Sequence, residues 1–238
     1  MESKYKKVVG IRVDKKGRKH NIYNPKFVEK QSLKKYEKIM KNHKIFHQIR
    51  EQIKKDMSSK DIRSLKTKEI AIILYLMIEC GFRIGNKKYE KEYNSHGIST
   101  IQFKHVKFAN GNLVIDFIGK KGVRNTSMCN NEYLNKYFKN KKRKSKIDDY
   151  VFTKATSDDV NDYLKKFDAS ITSKDLRTWT ANLWFIEYAL KEHKNGTKNI
   201  VKNAIDQTSQ RLHNTPAICK KSYIDSKVVN MILNKLNK

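Results

Sequence analysis

Residues 173–179, SKDLRTW, and 212–224, LHNTPAICKKSYI, decide how this chain is read. The first places Arg177 inside the start of a helix, after Leu176 and two positions before Trp179. One arginine on a helix is normally a surface charge. An arginine set among apolar neighbours is less ordinary, because burying a guanidinium costs free energy unless an anion meets it. The pattern recurs at 80–89, CGFRIGNKKY, where Arg83 lies between Phe82 and Ile84. A bound phosphate would satisfy both arginines through bidentate hydrogen bonds. A further stretch, FIGKKGV at 117–123, puts Lys120 and Lys121 at a hairpin tip, and the segment from Leu212 runs to Tyr223.

Around these segments the pattern alternates between two periods. Thr67 to Cys80 is the most apolar helical run, expected to be buried in a second, larger domain, with Gly81 as its C-terminal cap. Ile98 to Met128 reads as strands; NLVIDFIGKKGVRNTSM is the clearest hairpin, opened by the turn Ala109-Asn110-Gly111-Asn112. From Asn131 the chain is mostly helical, with helices expected near 156–168, 173–193, 197–211, 216–223 and 226–236. The basic run KNKKRKSK, 139–146, is expected to be a solvated loop. Upstream, 5–13 and 18–23 read as short strands joined by the turn DKKG, and Pro25 to Met57 is helical in spacing. The expected organisation is a small β segment at 1–24, a helical linker at 25–58 and a main domain at 59–238.

The 238 residues include 53 Lys and Arg against 24 Asp and Glu, a net charge of +29. Such an excess repels itself and usually marks a polyanionic partner, nucleic acid first, since neutralising phosphates releases counterions. The basic residues are spread along the chain rather than gathered on one amphipathic helix, which disfavours an anionic membrane. No apolar run approaches the ~20 residues that span a bilayer, and the N-terminus lacks the apolar core of a secretion signal. The 38% hydrophobic fraction is lean, but 10 Phe, 12 Tyr and 2 Trp are enough to fill a core. Three scattered cysteines, Cys80, Cys129 and Cys219, form no disulfide framework and suit a reducing compartment.

Several chemistries are disfavoured. Neither GxxxxGK[ST] nor GxGxxG occurs, so a nucleotide-fuelled motor is unexpected. There is no CxxC, no HExxH and no close acidic cluster of the kind two-metal phosphoryl transfer needs, and His43/His47 have no third ligand nearby in sequence. Neither metal nor cofactor is expected. If this chain breaks phosphodiester bonds, it must use cationic side chains and a covalent nucleophile.

The four segments, in this order, resemble those of the type IB DNA topoisomerases of the poxvirus and bacterial group. That family carries an R-I-G-N-type segment, a G-K hairpin, a K-D-L-R-T segment and an N/H-T-P segment ending in tyrosine. All are present here, and the likeness runs from about Gly10 to about Met231, most of the chain. It implies an α+β, mostly α-helical fold: the tyrosine recombinase/topoisomerase IB catalytic domain with a small antiparallel sheet. It further implies that Tyr223 attacks a DNA phosphodiester, forms a 3′-phosphotyrosyl link and expels a 5′-hydroxyl, which later reverses the attack. No ATP or metal is required in such a cycle. Arg83 and Arg177 would hold the non-bridging oxygens. Lys120 would be the general acid on the leaving oxygen, with Lys121 the alternative.

Where poxvirus members carry a histidine nine residues before the tyrosine, Asn214 stands here, preceded by His213. Asn214 is expected to donate to a phosphate oxygen, with His213 the other candidate. Tyr89, Lys121, Lys220, Lys221 and His213 are expected to contact duplex DNA. The ~25 residues before Pro25 are shorter than the family's N-terminal clamp domain, as for a truncated remnant. A monomer working inside a cell, virion or viral factory is expected. Two rivals remain. A tyrosine recombinase usually has H-x-x-R-H where this chain has Lys174-Asp175-Leu176-Arg177-Thr178; a non-enzymatic basic DNA-binding protein would not need the full set Arg83, Lys120, Arg177 and Tyr223.

Overall fold

The computed structural model describes residues 6–14, 17, 19–59, 61 and 64–236, and the chain forms two compact units that divide between His43 and Lys44. The helical stretch 25–58 is therefore shared between the two units. In the first unit, β1 (Val8–Val13) and β2 (Lys19–Tyr23) pair antiparallel with a bulge between Val8 and Gly10. Of the residues expected in the strands and their turn, 5, 15, 16 and 18 lie outside the described residues. Helix α1 (Pro25–Lys41) follows, with Pro25 in its first turn, where no backbone donor is missed. The Asn24 side chain caps it by accepting from the Lys26 amide at 3.0 Å. Tyr23 stacks on Phe27 at 5.7 Å, joining the hairpin's end to the helix.

The second unit takes in α2 (His43–Ser58) from its second residue on, and then α3 (Leu65–Cys80). Helix α3 is buried on nearly every face, which is why its sequence is apolar all round rather than striped. Its one buried charge, Glu69, is 4% exposed and fully engaged. Lys141 Nζ donates to Glu69 Oε1 at 2.6 Å, and the amides of Lys154 and Ala155 donate to Oε2 at 2.7 and 3.1 Å. Gly81 ends the helix at φ +66°, and a Cβ there would lie 2.0 Å from the Arg211 carbonyl oxygen, so only glycine fits.

Helix α4 (Lys87–Tyr93) precedes the three-stranded sheet β3 (Val106–Ala109), β4 (Asn112–Ile118) and β5 (Arg124–Cys129), antiparallel in that order. The Asn110-Gly111 turn has both residues at positive φ, as a two-residue hairpin requires. Residues 98–105, expected as strand, form two short 3₁₀ turns instead. Thr100 and His105 close them by hydrogen-bonding backward to the amides of Gly97 and Gln102, which competes with sheet pairing. Beyond the sheet lie α5 (Glu132–Lys142), α6 (Ser157–Lys165), α7 (Ser173–Lys194), α8 (Ile200–Arg211), α9 (Pro216–Ser222) and α10 (Ser226–Leu236), close to their expected positions.

Two other expectations are corrected. The basic run 139–146 is not wholly a solvated loop: α5 continues through Lys142, Lys141 pairs with Glu69, and Lys142 Nζ donates to the Val106 carbonyl. Their long stems reach inward while their heads find acceptors. The cysteines are not all free either, since Cys80 is bonded to Cys129 with Cα atoms 7.0 Å apart, and Cys219 alone is a free, buried thiol. An odd count at scattered spacing carries no signal of such a pair.

Candidate active site

Four chain segments meet where α3, α7, α8 and α9 end or begin. Helix α7 starts with a capping box: Thr172 accepts from the Asp175 amide at 3.3 Å, and Asp175 accepts from the Thr172 amide at 3.0 Å. That local lock fixes the helix start and so the direction of Arg177, two residues on. Arg177 is 3% exposed, and its guanidinium donates from Nη1 to the Gly81 carbonyl and from Nη2 to the Leu212 carbonyl at 2.6 Å. Both carbonyls lie at helix C-terminal ends, where backbone acceptors are left over and a cation is favoured. The third donor, Nε, is buried with no acceptor.

Tyr223 caps α9 and is 8% exposed. The Arg177 Cζ stands 5.3 Å from the centroid of its ring, within cation–π range. Burial pushes the Tyr223 phenol up, but the charges of Arg177 and Arg83 outweigh it and the net shift is below the usual tyrosine value. Burial pulls Arg177 itself down to about 10, so it remains cationic at neutral pH.

Arg83 leaves the Gly81 turn and donates to Asn214 Oδ1. This orients the Asn214 amide so that Nδ2 is the free end, and that atom is buried with no partner. His213 is turned elsewhere. Its backbone is left-handed at φ +51°, its ring stacks on Phe82 at 5.2 Å, and its Nε2 faces the Cys80 carbonyl at 3.0 Å. A carbonyl only accepts, so Nε2 carries the hydrogen. Burial lowers the His213 pKa; the bond to the Cys80 carbonyl opposes this, the two arginines add to it, and the net shift is downward, so the ring is neutral near pH 7.

Arg83, Arg177, Asn214 and Tyr223 are thus brought together, with His213 close enough to feel both arginines, and no hydrogen bond or ion pair among the described residues joins Lys120, Lys121, Tyr89, Lys220 or Lys221 to them. Lys120 and Lys121 occupy the exposed turn between β4 and β5 and make no hydrogen bond or ion pair among the described residues. The turn is tied to the Arg83 segment through residues 96–99: the His96 amide donates to the Ile118 carbonyl at 2.9 Å and the Ile98 amide to the Arg83 carbonyl at 2.8 Å. Tyr89 is exposed on α4, stacked on Tyr93 at 5.7 Å. Lys220 and Lys221 are exposed in the last turn of α9. Among the described residues no group of three His, Cys, Asp or Glu side chains could hold a metal ion, and no helix is long and apolar enough to cross a membrane.

Sequence reading missed Asn182. It lies five residues after Arg177 on α7, and its Nδ2 donates to the carbonyls of Thr178 and Tyr223, both at 2.8 Å. Its Oδ1 accepts from the Asp225 amide at 2.9 Å. The only sequence signal is an amide within an otherwise apolar helix face.

Fold and cluster together define a class: a helical domain that presents a tyrosine beside arginines able to hold an anion. The chain belongs to the family described as "Eukaryotic DNA topoisomerase I, catalytic core", whose family model matches residues 24–238. It is similar to DNA topoisomerase 1B of Acanthamoeba polyphaga mimivirus, 26% identical over 249 residues that cover 95% of this chain and 73% of that protein. DNA topoisomerase 1B of vaccinia virus (strain Copenhagen) is 24% identical over 237 residues, covering 96% and 74%. DNA topoisomerase 1 beta of Arabidopsis thaliana is 30% identical over 165 residues, which cover 68% of this chain and 18% of the plant protein.

Proposed function

We propose that this protein relaxes supercoiled duplex DNA as a type IB topoisomerase, through a 3′-phosphotyrosyl intermediate. One observation carries the proposal: Arg177 Nε, on the guanidinium that faces the Tyr223 ring, and Nδ2 of Asn214, the partner of Arg83, are buried donors without an acceptor. Leaving such donors unmet costs about 1–3 kcal/mol each, so the cluster is built for an anion that brings acceptors with it. Phosphate oxygens of a DNA strand are that anion, and the net charge of +29 favours their approach.

In the forward step the Tyr223 oxygen bonds to phosphorus and the bond from phosphorus to the 5′-oxygen breaks. Arg83, Arg177 and Asn214 meet the charge growing on the non-bridging oxygens. Lys120 supplies the proton that the departing 5′-oxygen takes. The ester count is unchanged, so the 5′-hydroxyl reseals the strand without ATP. Tyr89, Lys121, Lys220 and Lys221 contact the duplex. His213, held by Cys80 and Phe82, supports the loop from which Asn214 projects. The hairpin before residue 25 would serve in a DNA clamp, 25–58 as a linker and the remainder as the catalytic domain. The enzyme acts as a monomer, inside a cell, virion or viral factory where duplex DNA is present.

The test is relaxation of a closed circular plasmid in chelator without nucleotide, with denaturing gels to trap the adduct. Relaxed topoisomers from wild type and no adduct from Tyr223→Phe are expected. A protein that binds the plasmid but neither nicks nor relaxes it would be a DNA-binding protein only.

A further inference from the structure

We infer that Asn125 is a positioning residue for Lys120, its buried amide setting the direction in which the lysine leaves the β4–β5 turn. The inference rests on the proposed role of Lys120 as the acid that protonates the leaving 5′-oxygen. Lys120 makes no hydrogen bond or ion pair among the described residues, so its own side-chain contacts do not fix its place. What fixes it is the backbone of the turn.

That backbone is strained at its tip. Lys121 has φ +64° and Gly122 φ +75°, and a left-handed conformation costs a residue with a Cβ roughly 1–2 kcal/mol. Something must hold the turn closed. Two bonds within it do so: the Gly119 amide donates to the Val123 carbonyl at 2.8 Å and the Gly122 amide to the Gly119 carbonyl at 3.0 Å. The third comes from Asn125, whose Nδ2 donates to the same Val123 carbonyl at 2.8 Å.

Asn125 sits opposite Phe117 on β5 and is 2% exposed. An apolar side chain would suit an inward strand position, and a buried amide is costly there unless it is bonded. The amide also lies directly on Gly119: a Cβ at 119 would come within 2.5 Å of Asn125 Nδ2. Glycine at 119 and asparagine at 125 therefore form one fitted pair just before Lys120. From the other side the His96 amide holds the Ile118 carbonyl at 2.9 Å, so residue 118 and residue 119 are gripped separately.

The experiment compares single-turnover cleavage of two duplexes that differ only at the leaving atom, a 5′-bridging oxygen or a 5′-bridging sulfur. A thiolate leaves without a proton, so only the oxygen substrate needs a placed acid. Asn125→Ala is expected to slow the oxygen substrate by about 10²-fold, the scale of a misplaced catalytic group. The same variant should cleave the sulfur substrate near the wild-type rate and bind duplex as wild type does. Gly119→Ala pushes on the same amide and should give the same signature, which keeps the test in force if Asn125→Ala does not fold. Equal slowing of both substrates, or of neither, in the folded variant overturns the inference while leaving the topoisomerase proposal standing. Wild-type protein that forms an adduct with neither substrate overturns both.

Discussion

The side chain of Asn182 clamps the backbone on both sides of the Tyr223–Asp225 turn, donating to the Tyr223 carbonyl at 2.8 Å and accepting from the Asp225 amide at 2.9 Å. The phenol is thus aimed from α7, the helix that also carries Arg177. Asn182→Ala should leave the phenol chemically intact but loosely aimed. Cleavage should slow by roughly 10–10²-fold, with duplex affinity and the pH profile unchanged. A variant whose single-turnover rate matches wild type would show that the packing of α9 suffices.

The Tyr223 phenol titrates below its usual value because two guanidiniums outweigh its burial. With Tyr223 attacking as the phenolate, as proposed, the rate should rise with pH and reach its plateau at lower pH than an ordinary tyrosine would give. Arg83→Ala removes one of the two charges. The rising limb should therefore move to higher pH, separately from any loss in maximal rate. Single-turnover cleavage measured across pH reads both, and an unmoved limb would mean Arg83 does not act on the phenol.

His105 is held neutral in the fold. Burial, then the nearby His96 and Lys104, lower its pKa to about 4, and its Nδ1 accepts from the Gln102 amide at 3.0 Å. The unfolded chain takes up this proton near pH 6.5 and the folded chain only near 4. The stability that goes with the neutral ring is therefore complete above pH 6.5 and is lost as pH falls towards 4. Because the ring is only half-buried, the loss should be no more than about 2 kcal/mol. Urea midpoints across that range should fall less steeply for His105→Asn, which keeps an acceptor and does not titrate.

Glu69 joins α3 to α5 and to residues 154–155 through three hydrogen bonds. Glu69→Ala leaves Lys141 and two amides without their acceptor. Unfolding free energy from denaturant titration should drop by about 3 kcal/mol, the scale of a broken buried pair. A change under about 1 kcal/mol, the scale of an exposed pair, would place the pair effectively at the surface.

The features that showed in the sequence were those made by residues close together in the chain. Pro25 opens α1, Gly81 ends α3 and Asn110-Gly111 turns a hairpin; each depends on neighbours within a few positions. The apolar character of 70–80 likewise announced a buried helix. The 3₁₀ turns at 98–105 were less plain, because Thr100 and His105 bond backward to the backbone in a way strand propensity does not register.

The sequence by itself determined the helical character of the chain, the order of its elements and which residue types were available: two arginines in apolar settings, two lysines on a turn and a tyrosine after Thr-Pro. Tertiary structure alone decided which of them meet. Arg83 reaches Asn214 across 131 positions, Arg177 reaches the Gly81 carbonyl across 96, and Asn182 reaches Tyr223 across 41. Those contacts use leftover carbonyls at helix ends and the direction of single side-chain amides. Both are set by how buried helices pack against one another, which residue spacing along a chain does not encode.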